Sequence, residues 1–187
     1  MTASDLNQCL DCSACDLAKT RQTVVLSRGN PDARLMLIGE APGAQEDQLG
    51  IPFVGRSGKV LDRMLSEVGF NLDRDVYICN AIKCRPPNNR RPTKNELAAC
   101  RSWLDLQIAL VDPAVIVLTG STAVEALLGR RDAMRQLRGQ WQFWQGRSVM
   151  PVFHPAYLLR HASTDAEGPI ELTRRDFTVI RQKLCEL

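Results

Sequence analysis

Arg34-Leu35-Met36-Leu37-Ile38-Gly39 is a short apolar run that breaks into a glycine-rich turn, as a buried strand feeding a loop does. Val76-Tyr77-Ile78-Cys79 repeats the pattern, and Val115-Ile116-Val117-Leu118 reads as a third strand buried on both faces. Between the first two, Val60, Leu61, Met64, Leu65 and Val68 recur at helical spacing, which predicts an amphipathic helix from Ser57, its N-cap, to Val68, with Gly69 just past the end. Thr93-Lys94-Asn95-Glu96 has the form of a capping box ahead of Leu97, Leu104, Ile108 and Val111, and Gly120-Ser121-Thr122 opens a short helix through Leu128 to Gly129.

Strand and helix thus alternate, and right-handed crossovers make such strands parallel with helices against the sheet. Two more elements follow: a strand from Ser148 to Phe153 that pairs with Gln140 to Trp144 across a Gln145-Gly146 turn, and a helix opened by Pro169 and running to Leu184. The expectation is an α/β fold, a three-layer αβα sandwich around a central, mainly parallel four-stranded sheet.

Composition narrows this further. With 187 residues, 44% of them hydrophobic, the chain builds one ordinary core, so residues 1–187 are expected to form a single domain. Lys and Arg exceed Asp and Glu by only 24 to 21, so global charge does not itself point to nucleic acid. The start Met1-Thr2-Ala3-Ser4-Asp5-Leu6 has no basic region leading into an apolar run, and no stretch reaches about 18 apolar residues. A cytoplasmic, nucleoid-associated protein is expected. Seven cysteines are many for a reducing compartment, where metal ligation or redox chemistry is the better reading.

In open α/β sheets ligands sit beyond the carboxyl ends of the strands, so the segments there carry the candidate chemistry. They are Gly39-Glu40-Ala41-Pro42-Gly43-Ala44-Gln45-Glu46-Asp47, Asn80 to Cys84, Thr119-Gly120-Ser121, and His154-Pro155-Ala156-Tyr157. Glycines around a proline let backbone N–H groups approach a ligand, with Glu40, Glu46 and Asp47 supplying carboxylates; an ordinary acidic turn has the same composition. Phe53, in the loop Ile51-Pro52-Phe53-Val54-Gly55, suits stacking on a planar base, or simple core packing. Asn80 offers the donors and acceptor that match the amide edge of a pyrimidine, although asparagines at strand ends commonly form turns. His154, one of two histidines, suits donation to an oxygen that gains charge, or a loop hydrogen bond.

Cys12 and Cys15 form a C-x2-C pair, and Cys84 and Cys100 are separated by fifteen residues. Four thiolates close one site; spacing leaves both zinc and iron–sulfur open, and Cys9, three residues before Cys12, leaves one of the three N-terminal thiols surplus. Cys79 and Cys185 read as buried or incidental thiols. From Lys83 to Lys94 the chain carries Lys83, Arg85, Arg90, Arg91 and Lys94 without an acidic residue, a phosphate-contacting patch or a solvated loop.

Taken together, Gly39 to Asp47, Pro52-Phe53-Val54-Gly55, Asn80 to Pro87 and His154-Pro155-Ala156-Tyr157-Leu158-Leu159-Arg160 resemble the signature segments of the family 4 uracil-DNA glycosylases, over roughly residues 10 to 185. The resemblance implies a 4Fe-4S cluster on Cys12, Cys15, Cys84 and Cys100, with Cys12 and Cys15 favoured over Cys9 because Asp16-Leu17-Ala18-Lys19-Thr20-Arg21 follows them. It implies a flipped-out uracil stacked on Phe53, read by Asn80, contacted at O2 by His154 and enclosed by Glu40, Ala41 and Gly43. His154 would stabilise the departing uracil, with Glu46, then Glu40, as the carboxylate serving water or the sugar cation. Ala41 occupies the place where some related families put an acidic residue. Arg85, Arg90, Arg91 and Arg160 are expected on phosphates, and Leu158 and Leu159 as an apolar wedge into the duplex. Residues 81 to 100 contain no histidine, so turnover rather than covalent capture of uracil is expected. The expected partner is uracil-containing DNA, met by a monomer with no obligate protein partner. An iron–sulfur oxidoreductase and a damaged-DNA sensor without turnover are the competing readings.

Overall fold

The computed structural model describes residues 2–163 and 165–187; Met1 and Thr164 lie outside the described residues. In chain order the helices and strands are α1 (Ala3–Asn7), β1 (Ser27–Gly29), β2 (Leu35–Gly39), α2 (Ala44–Leu49), α3 (Arg56–Glu67), β3 (Val76–Asn80), α4 (Lys94–Val111), β4 (Val115–Thr119), α5 (Ser121–Leu128), α6 (Met134–Leu137), β5 (Gln142–Trp144), β6 (Arg147–Val152), α7 (Pro155–Arg160) and α8 (Pro169–Glu186). Short 3-10 turns at Gln8–Asp11, Asp16–Lys19 and Pro87–Asn89 carry the cysteine and basic segments.

Among the described residues the sheet has six strands in the order β1-β3-β2-β4-β6-β5. The expected count of four is therefore corrected. The contacts β3–β2, β2–β4 and β4–β6 are parallel, while β1 and β5 pair antiparallel at the two edges. The strand missed from the sequence, β1, is only Ser27-Arg28-Gly29, held by main-chain pairing with β3 and carrying no apolar run to betray it. The β5–β6 hairpin and the opening of α8 at Pro169 fall where the pattern placed them.

Every residue of β2, β3 and β4 is buried, because helices cover both faces of the sheet. Leu35, Leu37, Ile78, Val117 and Val152 face one layer with Leu61 and Leu65 of α3, Leu158 of α7, and Phe177 and Ile180 of α8. Met36, Ile38, Tyr77, Ile116 and Leu118 face the other, with Leu104 and Ile108 of α4 and Val124 and Leu127 of α5. Thr93 caps α4 as expected, its hydroxyl accepting from the Glu96 N–H at 3.2 Å while Glu96 accepts from the Thr93 N–H at 2.7 Å.

The start of α3 differs from expectation. Gly55, not Ser57, is the N-cap, and the helix begins at Arg56. The Glu46 carboxylate draws the Gly55 N–H out of the helix at 2.9 Å, which moves the boundary and leaves Ser57 on the wall of the cleft described below. Among the described residues no helix is long and apolar enough to cross a membrane.

Candidate active site

The chain passes from β2 to β3 on one side and to β4 on the other, so strand order reverses at the carboxyl ends of β2 and β4. A crevice is expected there, and a cleft of about 750 Å³ lies there. Glu40, Ala41, Gly43, Glu46, Phe53, Asn80 and His154 all line it, although they come from four separate stretches of chain. Arg90 and Arg160 line its mouth; Arg85, Arg91, Leu158 and Leu159 do not.

The loop after β2 is shaped by two buried carboxylates. Glu46 Oε1 accepts from the N–H groups of Val54 and Gly55 at 3.0 and 2.9 Å, and Oε2 accepts from Gly43 at 3.1 Å. Asp47, 2% exposed, accepts from the N–H groups of Gln22 and Thr23 at 2.9 and 3.2 Å and so ties the N-terminal segment to α2. Both were read as members of an acidic loop; burial makes them organisers of backbone. Glu40 is only half-buried, and its Oε2 accepts from the Thr122 hydroxyl at 2.5 Å, bridging the ends of β2 and β4.

Phe53 is buried and packs with the α3 core, and it also lines the cleft. Its φ is +55°, a left-handed conformation that costs a non-glycine residue about 1 kcal/mol or more and concentrates at ligand sites. Two glycines permit it. A Cβ on Gly58 would stand 1.8 Å from the Phe53 carbonyl oxygen, and one on Gly39 would stand 2.4 Å both from the Phe53 ring and from Asn80 Oδ1. Gly39 thereby lets the aromatic ring and the amide meet across the floor of the cleft. Asn80, last residue of β3 and 2% exposed, has no side-chain hydrogen bond among the described residues.

His154 caps α7. Its Nδ1 accepts from the Ala156 N–H at 3.1 Å, which assigns the proton of the neutral ring to Nε2. Burial, aided by the nearby Arg160 charge, pushes its pKa down to about 4, so near neutral pH the imidazole is uncharged and its Nε2–H is a donor. The His154 and Phe53 rings lie 6.3 Å apart between centroids.

The rim redistributes the predicted DNA contacts. Lys83 has no exposed surface and leaves the basic patch altogether. Arg90 already grips Glu96 through two bonds of 2.8 and 2.6 Å, which holds that carboxyl down at about 2, and Arg91 pairs with Glu125 at 2.8 Å. Arg85 donates to Asn89 Oδ1 at 2.7 Å. The expected two-leucine wedge is corrected: Leu158 is 1% exposed and belongs to the core, because α7 packs on α3, whereas Leu159 stands out at 38% beside Arg160. Sequence reasoning missed Thr122 and the segment of Met134 and Arg135, which lines the cleft from α6; no local pattern distinguishes that polar stretch from any other loop.

A second cavity lies on the N-terminal side, lined by Cys9, Cys12, Cys15, Cys84 and Cys100 together with Leu17, Ile82 and Trp103. N–H groups point at three of the sulfurs: Trp103 Nε1 at Cys12 (3.3 Å), Arg21 Nη1 at Cys84 (3.4 Å) and the Lys83 amide at Cys100 (3.3 Å). Arg21 also donates to the Cys12 carbonyl at 2.7 Å, locking the C-x2-C turn to the Cys84 loop. Burial pushes the thiol of Cys9 up to about 12 and that of Cys100 up to about 11, and raises Cys84. Among the described residues no three His, Cys, Asp or Glu side chains converge on a single ion point; the sulfurs ring a cavity instead. N–H donors aimed at sulfur suit thiolates that ligate a metal or a cluster. Cys79 is buried within β3 and Cys185 is exposed.

The profile of the Uracil DNA glycosylase superfamily matches residues 26–184. The Type-4 uracil-DNA glycosylase of Thermotoga maritima is 47% identical over 156 residues, covering 82% of this chain and 81% of that protein. The Type-4 uracil-DNA glycosylase of Sulfurisphaera tokodaii is 36% identical over 182 residues, or 92% and 80% of the two chains, and that of Archaeoglobus fulgidus 38% over 162 residues, or 82% and 81%. With a match of this extent running through every strand-end segment of the cleft, the chain belongs to the uracil DNA glycosylase superfamily.

Proposed function

We propose that the protein is a uracil-DNA glycosylase that hydrolyses the N-glycosidic bond of a deoxyuridine flipped out of DNA, the step that opens base excision repair. The carrying observation is the convergence of Phe53, Asn80 and His154 on one cleft in a chain of this family. A target base inside a duplex is out of reach of such a cleft, so flipping is required. In this reading Phe53 stacks on the base and the uncommitted amide of Asn80 pairs with its edge. The backbone at Glu40, Ala41 and Gly43 closes the pocket.

Breaking the bond leaves negative charge on uracil and cationic character on the sugar. The His154 Nε2–H, neutral and already oriented, meets the charge that gathers on the uracil oxygen; a donor of this kind contributes about 10²- to 10³-fold in rate. Of the two carboxylates, Glu46 has its oxygens engaged by three backbone N–H groups, whereas Glu40 accepts one hydroxyl and stands half open to the cleft. We therefore assign water or the sugar cation first to Glu40 and give Glu46 the shaping of the loop, the reverse of the order suggested by sequence.

We assign a 4Fe-4S cluster to Cys12, Cys15, Cys84 and Cys100: N–H donors reach the sulfurs of Cys12, Cys84 and Cys100, and the choice of Cys15 over Cys9, neither of which receives a donor among the described residues, rests on the family resemblance. When bound, the cluster supplies a rigid anchor for the N-terminal segment and the basic loop. Arg85, Arg90, Arg91 and Arg160 are assigned to phosphates, and Leu159 alone to the space left by the flipped base.

The test is incubation with an oligonucleotide carrying one uracil, followed by alkali. Strand cleavage at that position with release of free uracil is the expected result. Tight binding that leaves the DNA intact would establish a sensor in its place.

A further inference from the structure

Lys83 is among the largest fully buried side chains of the described residues. Its Nζ donates to the Asn80 carbonyl oxygen at 2.5 Å, and among the described residues no carboxylate pairs with it. An ammonium taken out of water costs several kcal/mol unless an anion answers it, and a neutral carbonyl is a poor answer. The cavity that this residue lines is ringed by sulfurs. The Lys83 amide donates to Cys100 Sγ at 3.3 Å, and Cys84 is the next residue.

The chain between Asn80 and Cys84 has no slack. The Ala81 N–H donates to the Gly39 carbonyl at 2.8 Å, Ile82 to that of Glu40 at 3.2 Å, and the Lys83 carbonyl accepts from Val25 at 2.8 Å. The segment therefore runs as a pinned strap from the cleft to the cysteines, with one buried cation joining its two ends.

We propose that Lys83 is a positioning residue whose charge answers the thiolates that hold the cluster and whose Nζ–H fixes the Asn80 carbonyl, keeping the base-reading amide in place. This rests on the cluster and the uracil pocket proposed above. A charge that faces ligating sulfur strengthens its hold on iron, as outer partners of a metal centre do by about 10- to 100-fold. The hydrogen bond to Asn80 is a separate, geometric effect that bears on substrate capture.

Two substitutions separate these effects: Lys83→Met removes charge and donor, and Lys83→Gln keeps an N–H donor without charge. Wild type and variants are loaded with iron and sulfide under anaerobic conditions, then exposed to a chelator with an oxidant while the visible absorbance of the cluster is followed. Both variants should lose the cluster at least about 10-fold faster than wild type. KM for uracil-containing DNA should rise in Lys83→Met, with kcat little changed, and stay near wild type in Lys83→Gln. Wild-type cluster retention in Lys83→Gln overturns the charge role, and a wild-type KM in Lys83→Met overturns the Asn80 role. If Lys83→Met does not fold, Lys83→Gln decides: faster cluster loss at unchanged KM supports the proposal, and any other pair of results overturns it. A wild-type protein that takes up no cluster fails the cluster assignment and the charge role with it, while the KM comparison still judges the Asn80 role.

Discussion

The cleft and the cysteine cavity sit at the two ends of residues 80–84 and are built on opposite terms. The cleft keeps polar groups uncommitted: the Asn80 amide has no protein partner among the described residues, and His154 uses Nδ1 on its own helix while Nε2–H remains available. The cysteine cavity leaves little uncommitted, with an indole, a guanidinium and a main-chain N–H already directed at sulfur. Unsatisfied buried polar groups cost stability and are retained where a ligand satisfies them, whereas satisfied ones hold structure together. Substitutions in the cleft should therefore strike activity and spare stability, and substitutions in the cavity should do the reverse first.

The largest effect that would sharpen this contrast is expected from Cys100→Ala. It should abolish the visible absorbance of the loaded protein and lower Tm by about 10 °C, a few kcal/mol for a chain of this size, read by calorimetry. An unchanged Tm would erase the distinction between the two regions. His154→Ala should lower uracil excision by about 10²-fold or more, measured in single-turnover assays, while Tm falls by only about 2–4 °C for the lost cap on α7. The same residue sets a pH signature. Because its pKa is lowered to about 4, the neutral donor persists from pH 8 down to about 5, and its contribution to rate falls only as pH approaches 4. A rate lost near pH 6.5 would mean that the histidine is not buried as described.

Leu158 and Leu159 bring the contrast into neighbouring residues. Leu158→Ala should destabilise the protein by about 2–4 kcal/mol on thermal unfolding, since it empties a packed core site. Leu159→Ala should change stability by less than about 0.5 kcal/mol while slowing excision from duplex more than from single-stranded DNA. Equal Tm losses in the two variants would break the assignment. Phe53→Ala should show a mixed effect, raising KM and also lowering Tm, because its ring belongs to both the cleft wall and the core.

Much of this was legible along the chain, for identifiable reasons. Strands β2, β3 and β4 are continuous apolar runs because both of their faces are covered, and chain order then forces Gly39, Asn80 and Gly120 toward one edge of the sheet. Five of the six residues proposed for the base pocket, Glu40, Ala41, Gly43, Asn80 and His154, lie in segments that follow strand ends, whereas Phe53 comes from the loop before α3. Strand β1 was not, since three polar or small residues at a sheet edge are held by main-chain bonds that leave no hydrophobic signature.

Charges were the least legible residues. Lys83 reads as part of a basic surface run yet is wholly buried, and Glu46 and Asp47 read as an acidic loop yet collect backbone N–H groups from distant segments. Leu158 and Leu159 are adjacent and identical, and only the packing of α7 against α3 separates a core residue from an exposed one. The order of strands and the stock of chemical groups at their ends follow from local pattern, because periodicity and turn residues act over a few positions. Which of those groups are buried, paired or left open depends on segments far away in the chain, and burial is a property of what packs around a side chain, which no neighbouring residue encodes.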